Sequence, residues 1–158
     1  MRSLKELSGI FLGTLIISQL VVAQSTPLAS IPAGDSPFAL ALTEDGQQAV
    51  VVNLFPTQAD DSNVRVLNLT LEQEENAFRA GTRLVAIAIA GSIALVVNED
   101  QDVIRLIDIT SGIEVAQIPV GSRPSNIITI PDSNLAIATN GTSGDISFID
   151  IDQRTVMG

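Results

Sequence analysis

Short apolar runs separated by polar turn residues recur along the chain from residue 34 onward. In the last third, the runs cover residues 126–130, 135–139 and 146–151, and the breaks between them are PDS and NGTSGD. Val, Ile and Leu dominate the runs, which is typical of β-strands joined by tight turns. Runs such as AIAIA and ALVVN are almost continuously apolar, so we expect these strands to be covered on both faces. The pattern predicts an all-β fold.

Three segments of this region can be aligned with one another. A glycine heads each segment, an asparagine closes its second apolar run, and an Asn or Asp closes its third. In chain order these residues are Gly34, Asn53 and Asn68; Gly81, Asn98 and Asp108; and Gly121, Asn140 and Asp150. The spacing from the glycine to the first asparagine is the same in the first and third segments and nearly the same in the second. Four short strands in a repeat of about 40 residues are typical of a β-propeller blade. We therefore predict a partial β-propeller of about three four-stranded antiparallel blades.

The repeat resembles the YVTN family of propeller repeats, whose unit has a glycine and proline at its head, a PDG turn, a VTN strand end and a third strand ending in Asp. The matching residues are Val120, Gly121, Pro124, Pro131, Asp132, Ala138, Thr139, Asn140, Ile146, Phe148, Ile149 and Asp150. The resemblance covers nearly all of residues 29–155. The sequence departs from the family where Val50, Ala94 and Ile137 replace its aromatic residue, and where Leu84 replaces its proline. The resemblance implies a propeller and leaves the activity open, because this fold carries many unrelated functions.

The repeat also predicts the organisation of the chain. We expect a signal peptide over residues 1–23 and an N-terminal strand that closes the propeller over residues 24–33. Blade 1 then covers residues 34–80, blade 2 residues 81–120, and an incomplete blade 3 residues 121–158.

Residues 1–23 have the pattern of a secretory signal. Arg2 and Lys5 precede an apolar stretch, and Val21 and Ala23 are small residues at the positions that signal peptidase requires for a cut before Gln24. Polar residues at 18–19 and 24–26 keep the apolar run below the ~20 residues of a spanning helix, which favours a cleaved signal over a retained anchor. We predict a bacterial protein that is periplasmic, on the cell surface or secreted, and not membrane-embedded after cleavage.

Three blades are fewer than the four to eight of a typical closed propeller. Residues 29–33 match residues 116–120 of the predicted outermost strand of blade 2, and the last outer strand is expected to begin near Thr155. Two explanations stay open. The chain is the N-terminal part of a longer open reading frame, or two copies associate to complete the ring; the abrupt end at a strand start favours the first.

Composition limits the chemistry. The chain has no His and no Cys, so imidazole and thiolate metal sites, and nucleophiles that depend on either residue, are excluded. With 8 basic against 18 acidic side chains and a net charge of −10, nucleic-acid binding is not expected. Five Phe without Trp or Tyr do not provide an aromatic platform for bases or sugars. We predict no cofactor.

Antiparallel strands place the loop between the second and third strands on the same face as the link that enters the blade. We call this the loop face. Its polar residues are Asp35, Ser36, Thr82, Arg83, Ser122 and Arg123 in the links, and Asp60, Asp61, Glu99, Asp100, Asp102 and Asp145 in the hairpins. The ligand-binding candidates among them are Arg83, Arg123, Asp35, Asp100, Asp102 and Asp145. In the alternative interpretation, Arg83 and Arg123 only pair with neighbouring acids.

Two acidic patterns are interpreted as turns. Asn98, Asp100 and Asp102 have the spacing that begins a calcium loop, but Val103 and Ile109 stand where such a loop needs Gly and Glu. Asp108 and Asp150 end the third strands and are expected to bind nearby backbone N–H groups. We predict no metal site and no catalytic residue.

The first functional hypothesis is a non-enzymatic exported propeller segment that acts as a scaffold binding a protein or a small polar ligand on the loop face. The rival is that these are the first blades of an extracytoplasmic propeller enzyme, lactonase-like or similar to quinoprotein dehydrogenases. Sequence downstream of Gly158 distinguishes the two, because clustered His or a cofactor domain there favours the enzyme.

Overall fold

The computed structural model describes residues 30–55 and 62–157, and this part of the chain is built of twelve β-strands. The first sheet contains β1 (Pro37–Leu42), β2 (Gln48–Asn53), β3 (Val64–Asn68) and β4 (Gln73–Phe78). The second contains β5 (Leu84–Ala90), β6 (Ile93–Asn98), β7 (Val103–Asp108) and β8 (Ile113–Pro119). The third contains β9 (Pro124–Thr129), β10 (Leu135–Asn140), β11 (Asp145–Asp150) and β12 (Thr155–Val156).

Each sheet is an antiparallel meander in which sequence neighbours pair in order. The first strands lie side by side, with β1 against β5 and β5 against β9. Sheets that meet along their first strands and diverge toward their fourth are arranged radially, as propeller blades are. The predicted all-β fold of about three four-stranded blades is confirmed, and the ring is not closed. The exact blade boundaries remain predictions.

The core lies between the blades. One cluster joins the first and second sheets, with Val50 and Val66 packed against Leu84, Ala94 and other residues of β5–β7. A second cluster joins the second and third sheets. The middle sheet is therefore covered on both faces, and every residue of β6 from Ala94 to Asn98 is buried, as its continuous apolar run predicts. Apolar burial of this kind is the main favourable term in folding.

The two end sheets each leave one face uncovered. On the first sheet the exposed apolar residues are Phe38, Leu40 and Leu42, and on the third they are Ile128, Ile146 and Phe148. Residues 30–33 are not in a strand, although Ile31 and Ala33 pack against the uncovered face of the first sheet. No sheet among residues 30–55 and 62–157 pairs with this segment, so its role as the closing strand remains a prediction.

The turns after the third strands have the predicted hydrogen bonds. Asp108 Oδ1 accepts from the backbone N–H groups of Thr110 at 3.1 Å and Ser111 at 2.8 Å. Asp150 Oδ1 accepts from Gln153 N at 2.8 Å. The interpretation of these carboxylates as turn formers is confirmed.

The predicted signal and its cleavage site lie outside the described residues. Within residues 30–55 and 62–157, no helix is long and apolar enough to cross a membrane.

Candidate functional site

A buried asparagine organises the loop face of each blade. Asn53, Asn98 and Asn140 end the second strands and are almost completely buried. Asn98 Nδ2 donates to Gln101 Oε1 at 3.0 Å, and its Oδ1 accepts from Gln101 N at 3.2 Å, which fixes the hairpin between β6 and β7. Asn140 Nδ2 donates to Asp145 Oδ1 at 2.7 Å and to Ser147 Oγ at 2.9 Å. The repeated asparagines are thus internal anchors, and the residues after them carry the exposed chemistry.

The residue after each anchor is tied to the link that enters the same blade. The backbone N–H of Glu99 donates to Arg83 O at 3.1 Å, and that of Gly141 donates to Arg123 O at 2.8 Å. Leu54 N and Ser36 O make the same contact in the first blade at 3.0 Å. Links and hairpins therefore share one face, as strand alternation predicts.

Glu99 holds the two candidate arginines together. Arg83 Nη2 lies 2.6 Å from Glu99 Oε2, and Arg123 Nη2 lies 2.6 Å from Glu99 Oε1. Arg83 Nε also donates to Glu99 Oε2 at 3.0 Å, and Arg123 Nε donates to Glu99 Oε1 at 3.2 Å. Because Arg123 belongs to the third blade and Glu99 to the second, the carboxylate joins two blades. We call these three residues the Arg83–Glu99–Arg123 bridge.

Charge pairing sets the ionisation of the bridge. Hydrogen bonds first from Arg123 and then from Arg83 hold the pKa of Glu99 below its usual range. The hydrogen bond and charge of Glu99 in turn raise the pKa of Arg123. Glu99 is mostly shielded, whereas the side chains of both arginines remain substantially exposed. Glu99 and Arg123 are therefore charged at neutral pH, and both arginine side chains reach solvent.

Both arginines occupy an unusual backbone conformation. Arg83 has φ of 47° and Arg123 has φ of 52°, in the left-handed region that non-glycine residues adopt only rarely. The two residues stand at the same position of successive links, two residues after Gly81 and Gly121. The link geometry aims both side chains at the same carboxylate.

Hydrogen bonds tie three candidate aspartates to the links that carry the two arginines. Asp102 Oδ1 accepts from Arg123 N at 2.6 Å, and Asp100 Oδ2 accepts from Thr82 Oγ1 at 2.6 Å. Asp145 Oδ1 accepts from Ser143 Oγ at 3.0 Å, and Ser143 Oγ accepts from Ser122 N at the same distance. Hydrogen bonds through neighbouring residues therefore connect Asp100, Asp102 and Asp145 to the links that carry the arginines.

Not every predicted loop-face residue joins this set. Asp35 lies in the link before β1, on the first blade, whereas the bridge joins the second and third blades. Asp60 and Asp61 lie outside the described residues. The alternative interpretation, in which Arg83 and Arg123 pair with neighbouring acids, describes their observed contacts correctly. Whether any of these residues binds a ligand remains a prediction.

Sequence reasoning placed Glu99 on the loop face but did not single it out. Leu54 and Gly141 stand at its position in the other blades, so repeat comparison marks Glu99 as the one charged residue there. Its meeting with Arg123 depends on how two blades pack, and the spacing of residues within one blade does not reveal this.

Sequence reasoning also missed a buried charge in the third strands. Arg65 and Arg105 stand at the same position of β3 and β7, and each pairs with a glutamate of the fourth strand, Glu74 at 2.6 Å for Arg65 and Glu114 for Arg105. Arg105 also donates to Gln101 and lies beneath Gly81. In the second blade, Arg105 therefore packs beneath the link and the hairpin of the loop face.

Two open clefts lie at the opposite edge of the blades. One of about 470 Å³ is lined by the turns between first and second strands, including Glu44, Gly91 and Asp132. Another of about 460 Å³ lies between Thr43, Asp45, Ser92 and neighbouring residues. Both are open and lack the joined charges of the bridge, so we place the candidate site on the loop face. In the part of the chain that the structure describes, no group of three His, Cys, Asp or Glu is arranged to hold a metal ion.

No protein-family model and no curated protein matches this chain. Among solved structures, it is similar to hydrazine synthase from Kuenenia stuttgartiensis, with 22% identity, a TM-score of 0.68, and coverage of 85% of this chain and 37% of that one. It is also similar to a functionally unknown protein from Desulfotomaculum acetoxidans DSM 771, with 21% identity, a TM-score of 0.69, and coverage of 78% of this chain and 42% of that one. At these identities the likeness shows the fold alone. The chain is a propeller-like repeat scaffold that spans less than half the length of either neighbour.

Proposed function

We propose that this chain is a segment of an exported bacterial propeller of the YVTN type, and that it binds a protein or a small polar ligand on its loop face without catalysing a reaction. The Arg83–Glu99–Arg123 bridge carries this proposal. It joins two blades and holds two exposed guanidinium groups in a fixed position. A ligand can therefore bind with little further loss of side-chain conformational entropy.

The surroundings of the bridge favour a ligand that brings positive charge together with hydrogen-bond acceptors. Glu99 balances one of the two arginine charges, so one positive charge is left. Asp100, Asp102 and Asp145 bring three negative charges to the same face. The whole chain carries a net charge of −10, which attracts basic partners over distance and repels polyanions. A basic segment of another protein fits this face, with its backbone carbonyls accepting from the arginines.

The test is nuclear magnetic resonance of the isotope-labelled chain, titrated with a lysine hexapeptide and, separately, with a glutamate hexapeptide. The lysine peptide is expected to shift backbone signals around Glu99, Asp102 and Asp145 more than signals of the opposite turns. The effect should weaken with added salt, because exposed charge interactions are screened. The glutamate peptide should give little change.

A matched pair of variants makes the test specific. Asp102 on the loop face and Asp132 in the β9–β10 turn both have left-handed backbones, with φ of 57° and 56°, a conformation that Asn tolerates well. Asp102→Asn should weaken the response to the lysine peptide several-fold, whereas Asp132→Asn should leave it unchanged. Equal responses on both faces, or equal loss in both variants, would contradict a localised site.

A further inference from the structure

Asn140 is the only asparagine in the sequence that is followed directly by glycine. The backbone nitrogen of a glycine is not hindered by a side chain, and its backbone rotates more freely than that of other residues. Such a nitrogen can attack the side-chain amide carbon of the preceding asparagine. The equivalent anchors of the first two blades are followed by Leu54 and Glu99, whose side chains hinder this attack. The third blade is therefore anchored by the asparagine of this chain that is most prone to deamidation.

The folded blade keeps the two reacting groups of this pair apart. The backbone N–H of Gly141 donates to Arg123 O at 2.8 Å. Asn140 Nδ2 donates to Asp145 Oδ1 at 2.7 Å and to Ser147 Oγ at 2.9 Å. Asn140 is 2% exposed and is paired with strands on both sides of β10. Ring closure needs both its backbone and its side chain to rotate, so the hairpin must open before the attack can occur.

The same hairpin holds the link that enters the third blade. Thr142 N donates to Ser122 O at 3.0 Å, and Ser122 N donates to Ser143 Oγ at 3.0 Å. From this link the side chain of Arg123 reaches Glu99 in the second blade. The hairpin after Asn140 therefore fixes the position from which Arg123 enters the bridge.

We propose that Asn140–Gly141 is a deamidation site that the folded blade protects, and that its modification irreversibly loosens the third blade's part of the loop face. The backbone nitrogen of Gly141 loses its proton and bonds to Cγ of Asn140, and the side-chain amide nitrogen leaves as ammonia. The product is a cyclic succinimide. Water then opens the ring at one of its two carbonyls and gives aspartate or isoaspartate. Water is the only co-reactant, and nothing is oxidised or reduced.

Either product disrupts the anchor. An aspartate at position 140 has an oxygen in place of the nitrogen that donates to Asp145 Oδ1. Two carboxylates then share one buried contact, which is unfavourable while both are charged. An isoaspartate adds one carbon to the main chain before Gly141 and so moves the Gly141 nitrogen away from Arg123 O. Both changes weaken the contact between hairpin and link.

The first test follows individual asparagines by tandem mass spectrometry while the purified chain is kept at mildly alkaline pH, with and without unfolding concentrations of urea. In urea, Asn140 should be converted faster than Asn98, because Glu99 follows Asn98. Without urea, conversion of Asn140 should be at least about tenfold slower, because only the open fraction of the hairpin reacts. Equal rates at Asn140 in both conditions, or equal rates at Asn140 and Asn98 in urea, would overturn the proposal.

The second test reproduces one product by substitution. Asn140→Asp should lower the midpoint of urea unfolding, and adding Asp145→Asn should recover part of the loss, because the exchanged amide can donate across the same contact. Asn126→Asp is the matched control. It adds the same charge to the same blade at an exposed residue, whose side-chain oxygen accepts from Ile127 N. The control should leave the midpoint unchanged, and an equal midpoint for Asn140→Asp would be incompatible with a weakened anchor.

Hydrogen exchange locates the effect. In Asn140→Asp, the backbone N–H groups of Gly141 and Thr142 should exchange faster than in the wild type. The N–H of Glu99 makes the equivalent bond to Arg83 O in the second blade and should stay protected. Equal acceleration at all three groups would overturn a change confined to the third blade. These measurements use no ligand, so their outcome is separate from that of the lysine-peptide titration.

Discussion

The Cα of Gly34 faces the side chain of Asn53 so closely that a Cβ built on the glycine would lie 2.5 Å from Asn53 Oδ1. Gly81 and Asn98 have the same relationship, at 2.5 Å to Nδ2, and Gly121 and Asn140 at 2.6 Å to Nδ2. The glycine that heads each repeat and the asparagine that closes its second run are therefore in contact. Their recurrence in the sequence has a steric cause, because only glycine leaves room for the buried amide.

Gly34→Ala should destabilise the protein more than Gly46→Ala. Both glycines have a positive φ, of 98° and 67°, so both variants incur the left-handed strain of alanine. Nothing lies within 4 Å of a Cβ at Gly46. At Gly34 the Cβ displaces a buried amide, which adds about 1–3 kcal/mol to the cost. Urea unfolding midpoints measure the difference, and equal midpoints for the two variants would refute the steric explanation.

Asn53→Ala should release the link before the first blade. Asn53 Oδ1 accepts from Ser36 N at 3.1 Å and its Nδ2 donates to Ala33 O, so the variant removes the side-chain partner of both groups. The free energy of unfolding should fall by about 1–3 kcal/mol. Hydrogen exchange at Ser36 should accelerate while amides of β6 remain protected. Asn68→Ala, at the end of β3 where the side chain makes only exposed hydrogen bonds, provides the comparison and should cost less.

The bridge predicts a pH dependence of stability. The folded-state pKa of Glu99 lies below its usual value. As the pH falls, the unfolded chain therefore binds a proton at this carboxylate before the folded protein does. The contribution is complete above the ordinary glutamate pKa of about 4.3 and is lost as the pH falls through the lowered value. Thermal unfolding from pH 7 to pH 3 should show wild type and Glu99→Gln converging in acid. A constant difference over that range would argue against the bridge as its source.

The signal peptide predicted over residues 1–23 implies a mature protein that starts at Gln24. Expression of the full chain in a bacterium with a general secretion pathway, followed by intact mass measurement of the exported protein, checks this. Ala23→Arg places a large charged residue at the cleavage position and should leave the precursor uncut. Wild-type chain that keeps Met1 and fractionates with membranes would instead identify a retained anchor.

The blades could be predicted from the sequence because the strands and turns of each repeat are determined by residues close together in the chain. Continuous apolar runs ending in asparagine, and turn residues such as Asp108, depend on neighbours in the same hairpin. The contacts of Glu99 with Arg123 and of Arg105 with Glu114 depend on side-chain direction and, for Glu99, on the packing of two blades. The Arg105–Glu114 pair recurs at the nine-residue spacing of Arg65–Glu74, but no residue spacing encodes the contact of Glu99 with Arg123, so the centre of the candidate site emerged only from the structure.

The position after each buried asparagine also bears on how this scaffold could change. Its backbone N–H is held by a link carbonyl whether the side chain is Leu54, Glu99 or Gly141. Leu54 and Glu99 keep the same backbone hydrogen bond with very different side chains, whereas a Cβ at Gly141 would lie 3.3 Å from Arg123 O. The first blade thus offers, at Leu54, a position from which new recognition surfaces can be selected or engineered without disturbing the sheet below.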